Sequence, residues 1–349
     1  MMAVAIARMT SKFRLSRHTG GLFLVGLSSL VRSIHLSQDL KESVEDLVQK
    51  KSYERIPDIL DSSEELCRNP SLFGFLSNLS RDTRIHVIDE MLRSFGSIRP
   101  RWKPWNVYSC LLGYTLQSCD PFPISLCIIQ RMLRSGCLPV PQTHVFLTSA
   151  WLESRSWSHS AADILLDMKS IGHSPDCGTC NYVITSLCAV DQLNEAMHVL
   201  SCIARAGCIP DTDSYGTVIA AMCRARKTTQ AVEMLREMVT KAALTPRQDT
   251  MAKVILALRK NKEVRKAVGV IELLENEDHD IGFEVYERTV ESCLACDEYV
   301  LAAKTVMRMT ARGFIPYIMV RQRLVEGLTA RGDWDLACAV RQRFAELGS

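Results

Sequence analysis

The chain has 349 residues, 47% of them apolar and only 7% aromatic, with 42 basic and 39 acidic side chains. That length is long for one globular core but natural for a stacked array. The formal charge of +3 is misleading, because residues 1–37 hold Arg8, Lys12, Arg14, Arg17 and Arg32 and no acid, leaving 37 basic against 39 acidic residues. A chain-wide basic footprint for nucleic acid is therefore excluded, and any such footprint has to be local.

Residues 1–36 are rich in arginine, serine and small apolar residues, the composition of an organelle transit peptide. The apolar run Leu22–Val31 is too short to span a bilayer. It has the length of a signal-peptide core, but no A-x-A-like cleavage site follows. Arg32-Ser33-Ile34-His35 resembles the arginine-led cleavage context of mitochondrial presequences. The expected address is the mitochondrion, with the plastid as the alternative, and no membrane partner is expected. Residues 37–104 are less regular. Leu40–Leu60 has the makings of a hairpin and Ser80–Gly96 those of a degenerate second helix, so the stretch reads as a divergent helical N-terminal cap.

From 105 to 349 one pattern governs. An apolar quartet with offsets 0, 3, 4 and 7 recurs as Ala161-Ile164-Leu165-Met168, Ala196-Val199-Leu200-Ile203, Ala231-Met234-Leu235-Met238, Ala267-Val270-Ile271-Leu274 and Ala302-Thr305-Val306-Met309. Ser125 and Ala337 head the flanking copies. These offsets are one face of an α-helix. A second series, headed by Tyr108, His144, Cys180, Tyr215, Met251, Tyr286 and Arg321, leads each copy by one short helix. The period is 35 or 36 residues throughout. The fold class this predicts is all-α, a right-handed α-solenoid of seven stacked helix-turn-helix repeats.

The stops fit that register. Gly136, Gly172, Gly207, Gly313 and Gly348 follow the second helices, where a left-handed residue is needed. Pro139, Pro175, Pro210, Pro246 and Pro316 then bar continuation. Arg341, where other copies are apolar or threonine, suits a terminal repeat with one side facing solvent. The 14 cysteines include Cys177/Cys180 and Cys293/Cys296 at CxxC spacing. Many recur at equivalent repeat positions, so small buried thiols are expected, with no metal and no cofactor.

The unit from Pro175-Asp176 through Asn181, Leu187-Cys188 and Leu193-Asn194-Glu195-Ala196 to Pro210-Asp211 resembles the pentatricopeptide repeat family. It is similar to that family's Pro-Asp opening, Leu-Cys helix end and Leu-Asp-Glu-Ala second helix. The resemblance implies an organelle protein that binds single-stranded RNA, each repeat facing one base. The fifth side chain of a unit meets the base edge and the last residue supports it. By that resemblance Asn181 with Asp211 matches the uracil-preferring pair. The other pairs are Ser109/Val140, Val145/Asp176, Gly216/Arg247, Ala252/Gly282 and Glu287/Tyr317, with Gln322 unpaired; Val, Gly and Ala offer a base no side-chain hydrogen bond. At the base-sandwiching second position stand Gln142, Gly178, Asp213, Asp249, Glu284 and Met319. The three carboxylates among them are expected to serve as helix caps and dipole partners. Arg224 and Lys260, supported by Arg226, Lys227, Arg259, Lys262, Arg265 and Lys266, form the one candidate phosphate patch.

Two functions stay open. The first is a non-catalytic RNA-binding protein acting in transcript stability, processing or translation. The second, favoured by the acidic repeat body, is a protein-binding scaffold associated with the organelle ribosome or other RNA-processing proteins. Catalysis is not expected: a deaminase extension needs His-x-Glu beside Cys-x-x-Cys, and neither pair has it. Nor do the repeats leave room for an appended catalytic domain before Ser349.

Overall fold

The computed structural model describes residues 38–61, 70–118, 121–157 and 160–348, and every regular element among them is helical. The expected presequence at 1–36, with its Leu22–Val31 run and Arg32–His35 context, lies outside the described residues.

Two compact units are present. The first comprises the described residues up to 118 together with Arg134–Leu138. It begins with α1 over 38–49, followed by a 3-10 turn at Tyr53–Arg55 and α2, Ile56–Asp61. A 3-10 stretch, Pro70–Asn78, leads to α3, Arg81–Ser97, and then α4, Trp105–Leu116. Ser80 starts α3 by accepting the Thr83 N–H at 3.3 Å, a side-chain cap that satisfies an otherwise unpaired donor. Helical spacing turns Ile88, Met91, Leu92 and Phe95 inward, and Phe95 meets Tyr108 edge-on at 5.6 Å.

The second unit comprises 121–133 and 139–348. It opens with α5, Ile124–Arg134. Helix pairs follow: α6, Gln142–Ser156, with α7, Ala161–Leu166; then α8, Cys177–Ala189, with α9, Leu193–Cys202. Next come α10, Thr212–Arg224, with α11, Thr228–Thr240, and α12, Gln248–Lys260, with α13, Val264–Asn276. The last pairs are α14, Phe283–Ala295, with α15, Tyr299–Ala311, and α16, Ile318–Ala330, with α17, Trp334–Gly348. From α8 onward each first helix packs on its second helix. The quartets explain why. Cys180, Val183, Ile184 and Leu187 of α8 are fully buried, as are Ala196 and Val199 of α9. Each large side chain so covered contributes about 1.5–3 kcal/mol.

This unit is an all-α solenoid. Between α6 and α14 successive first helices pack closely on one another, whereas successive second helices barely touch. The stretch therefore curves with its first helices on the inner side.

The turns add something the glycine pattern did not predict. Gly136, Gly172, Gly207 and Gly313 take positive φ as expected, but Asp278 (φ 56°) holds the same geometry at the equivalent position and Ala243 (φ 50°) one residue past it. Gly348 instead ends α17 as a helical residue. The left-handed residue serves a chain that reverses into a next helix, and between α16 and α17 Gly332 takes it at φ 84°. Alanine in this region is strained where glycine is not. The Ala243→Gly variant is therefore expected to be more stable by about 0.5–1 kcal/mol, read as a raised midpoint in urea unfolding. A lowered midpoint would refute the account.

Candidate nucleic-acid interface

Because 180, 183, 184 and 187 of α8 face inward, its open side is the stripe Gly178, Asn181, Thr185 and Ala189. The same spacing gives Asp213, Gly216, Ala220 and Arg224 on α10, and Asp249, Ala252, Leu256 and Lys260 on α12. On α14 it gives Glu284, Glu287, Glu291 and Ala295. The second, fifth and helix-end positions singled out in the sequence thus share one surface, on the inner side of the curve.

Asn181 and Asp211 meet there. Asn181 Nδ2 donates to Asp211 Oδ1 at 3.1 Å and Oδ2 at 3.2 Å, while Ser214 Oγ donates to Asn181 Oδ1 at 2.6 Å. Asp211 also caps α10: its Oδ1 accepts the Ser214 N–H at 2.8 Å, and the Asp211 N–H donates to Ser214 Oγ in return. Cys177 Sγ donates to Asp211 Oδ2 at 3.0 Å. Since a carboxylate only accepts, the amide's NH₂ has to face Asp211. That fixes the amide's orientation. Asn181 Nδ2 also donates to Cys177 Sγ, a weak acceptor at 3.7 Å, so an oxygen lone pair and this loosely held N–H face an incoming planar edge.

Burial alone would raise the Asp211 pKa, but hydrogen bonds from Cys177, the Ser214 backbone and hydroxyl, and Asn181 outweigh it and hold it down at about 2. A carboxyl depressed in this way stabilises the fold above its unfolded value of about 4, and the contribution fades as pH falls through the folded value. The Asp211→Asn variant, which retains a capping oxygen, is expected to lose less stability than the parent between about pH 4 and pH 2. Urea titrations at each pH check this; parallel losses in the two proteins would contradict it.

The remaining sites are unlike this one. Val145 is 54% exposed and offers only apolar surface, while Asp176 caps α8 through Thr179 N at 2.9 Å and Thr179 Oγ1 at 2.6 Å. Arg247 does not lie free beside Gly216; its Nη2 pairs with Asp213 Oδ1 at 2.8 Å, one turn away. A side chain at Gly216 would press on Thr250 Oγ1 at 3.2 Å. Between Ala252 and Gly282, Gln248 acts as a strut, accepting the Gly282 N–H and donating to the Asp280 carbonyl, both at 2.9 Å. Ser109 turns back onto its own helix at the Trp105 carbonyl.

One expectation needs correcting. Asp213, Asp249 and Glu284 are not caps: the capping positions are Asp211, Arg247 and Gly282, and the three acids stand in the first turns. There they suit the helix dipole. Each also carries a cation, Arg247, Lys253 or Arg288 respectively, at 2.6–2.8 Å. Their repulsion of a phosphate is correspondingly reduced.

Of the basic cluster, Arg259, Arg265 and Lys266 are tied to Glu291, Glu298 and Glu263. Arg224, Arg226, Lys227, Lys260 and Lys262 are exposed and form no ion pair among the described residues. Arg224 Nη2 donates to the Cys188 carbonyl at 3.5 Å. Ser214 and Cys177 are site members that the sequence reading missed, although the Asp-x-x-Ser spacing of a capping box signals the first. No helix of the described residues is long and apolar enough to cross a membrane.

Sequence comparisons with known proteins point to one family. The PPR repeat family matches residues 175–224, and the PPR repeat matches 213–241. The Arabidopsis thaliana pentatricopeptide repeat-containing protein At1g06270 is 54% identical over 318 residues, 91% of this chain and 93% of its own. The Arabidopsis small ribosomal subunit protein mL103 (rPPR7) is 27% identical over 40% of this chain and 34% of its own. Among solved structures, the maize pentatricopeptide repeat protein PPR10 aligns with 87% of this chain and 54% of its own, at 14% identity and a TM-score of 0.40. At 54% identity along nearly the whole length of the Arabidopsis protein, the chain belongs to the pentatricopeptide repeat family.

Proposed function

We propose that this chain binds single-stranded organelle RNA along the open faces of α8, α10 and α12 and has no catalysis of its own. The observation that carries the reading is the oriented Asn181 amide. With Asp211 and Ser214 fixing it, it presents an oxygen lone pair beside an N–H held only by the weak acceptor Cys177 Sγ, the complement of a pyrimidine edge. Uracil is the base the family resemblance favours there. Val145, Gly216 and Ala252 leave the neighbouring bases unread, so binding is short and weakly specific. Arg224 and Lys260 supply phosphate contacts to the same strand. Asp176 and Arg247 serve the surface as a cap and an ion-pair partner.

In this reading residues 1–36 are a transit peptide, 37–104 a divergent cap and 105–349 seven repeats. The protein acts in transcript stability, processing or translation in the mitochondrion, with the plastid as the alternative. Filter binding of organelle RNA at about 50 mM and 200 mM salt tests it, because phosphate-dominated binding weakens steeply across that range. No binding at the lower salt would defeat the proposal.

A second reading, a scaffold attached to the organelle ribosome, is supported by the likeness to mL103 over 40% of this chain. Co-purification with ribosomal proteins that survives nuclease treatment would favour it.

A further inference from the structure

The open face of α14 differs in kind from those of α10 and α12. Its stripe carries Glu284, Glu287 and Glu291, ends in Ala295 where the others end in Arg224 and Lys260, and is followed by Asp297 and Glu298. A cavity of about 560 Å³ opens on this face between α12 and α14, lined among others by Arg259, Phe283, Glu287, Glu291 and Tyr317. Two of the three stripe carboxylates are matched: Glu284 by Arg288 at 2.6 Å and Glu291 by Arg259 at 3.3 Å.

Glu287 is not matched. It is only 4% exposed, and its Oε1 accepts the Tyr317 N–H at 3.1 Å. Its Oε2 is buried with no hydrogen-bond partner. A buried carboxylate oxygen left unpaired costs free energy unless the group is protonated or a donor arrives. Beside it, Phe283 and Tyr317 stand edge to face at 5.1 Å, giving the cavity an aromatic wall whose outer ring, Tyr317, is 64% exposed.

We infer that this cavity receives the guanidinium of an arginine presented by a protein partner, with Glu287 as its carboxylate and Tyr317 as its stacking surface. The group fits on three counts. A guanidinium is planar, donates to a carboxylate and stacks on an aromatic ring. It is the charge that Glu287 lacks. RNA is disfavoured here, because this stripe ends in Ala295 where α10 and α12 offer a phosphate Arg224 and Lys260, and Asp297 follows.

Burial, reinforced by the nearby Glu291 and only partly countered by the Tyr317 N–H, raises the Glu287 pKa. A guanidinium binds the ionised form, so protons compete with it, and affinity should fall as the solution is acidified.

The test is calorimetric titration of the full chain with the peptide acetyl-Gly-Arg-Gly-amide and with its citrulline counterpart, which keeps the shape but not the charge. The arginine peptide should bind one to one, and the citrulline peptide about tenfold more weakly or less. Glu287→Gln retains an oxygen for the Tyr317 N–H, so it should fold normally and weaken arginine binding about tenfold. Tyr317→Ala, at an exposed ring, should weaken it about threefold. Equal binding of both peptides, or indifference to Glu287→Gln, overturns the proposal. So does the absence of saturable arginine binding up to about 10 mM. Loss of RNA affinity in Glu287→Gln without any arginine binding would make the cavity a base site and overturn it as well. RNA binding through Asn181 stands or falls separately.

Discussion

Replacing Trp151 by alanine is expected to cost the second unit about 3–5 kcal/mol, the range for a fully buried large aromatic. The ring is completely covered and meets Phe122 edge-on at 5.9 Å. Its Nε1–H donates to Glu195 Oε2 at 3.0 Å, the same oxygen that accepts from Arg155 Nε at 2.9 Å. One side chain of α6 therefore both fills the core and holds a carboxylate of α9. The alanine variant loses the packing, leaves a void and removes one of the donors to Glu195. Trp151→Phe keeps most of the volume and should cost about 1–3 kcal/mol, the scale of one lost hydrogen bond to a partly buried charged acceptor. Urea unfolding followed by circular dichroism separates the two. If the alanine variant lost less than about 1 kcal/mol, the packing account of the array would be wrong.

Neutralising Arg224 and Lys260 together is the second large effect, and it falls on binding rather than stability. Neither side chain has an ion pair to lose among the described residues, and both are exposed. The double alanine variant should therefore unfold like the parent. If each cation meets one phosphate, the variant releases about two fewer counterions, and the slope of log affinity against log salt falls by about 1.4 for a single strand. Affinity at about 50 mM salt should drop roughly 10- to 100-fold. Arg265→Ala is the control, since that guanidinium already pairs with Glu298 at 3.6 Å and should matter little. Unchanged salt dependence in the double variant would remove the phosphate patch from the proposed interface.

Much of the architecture was legible because it depends on short-range regularities. Offsets of 3, 4 and 7 place Val183, Ile184 and Leu187 on one side of a helix whatever follows, and all three are buried. Glycine after a second helix signals a left-handed turn, and four of the five predicted glycines took it. The signal failed where other residues accept the same geometry. Asp191, Arg226, Lys262 and Asp297 adopt positive φ at the equivalent turn of each pair, and Ala243 and Asp278 do so after the second helices. There the reversal between packed helices imposes the conformation, and the residue tolerates it.

The candidate site was half legible. Asn181 and Asp211 stood out through their positions in the repeat, and they do meet. Cys177 and Ser214 did not stand out, because their role rests on contacts with Asp211 and Asn181 that only the fold creates. The acids at 213, 249 and 284 read as caps because a carboxylate near a helix start usually is one. The chain instead begins each helix two residues earlier, so they fall inside the first turn.

From its sequence alone the chain determined its helices, their pairing and which face of each is apolar, since these follow from neighbours within about two turns. What lies on the open face was decided by contacts between side chains roughly one repeat apart. Arg247 reaches back to Asp213, Gln248 forward to Gly282, and the Tyr317 backbone to Glu287. A periodic pattern records that such residues recur, but whether two of them touch depends on rotamers and on the tilt between stacked hairpins. Burial of Glu287 beside an open cavity is of that kind, and only the tertiary structure could place it there.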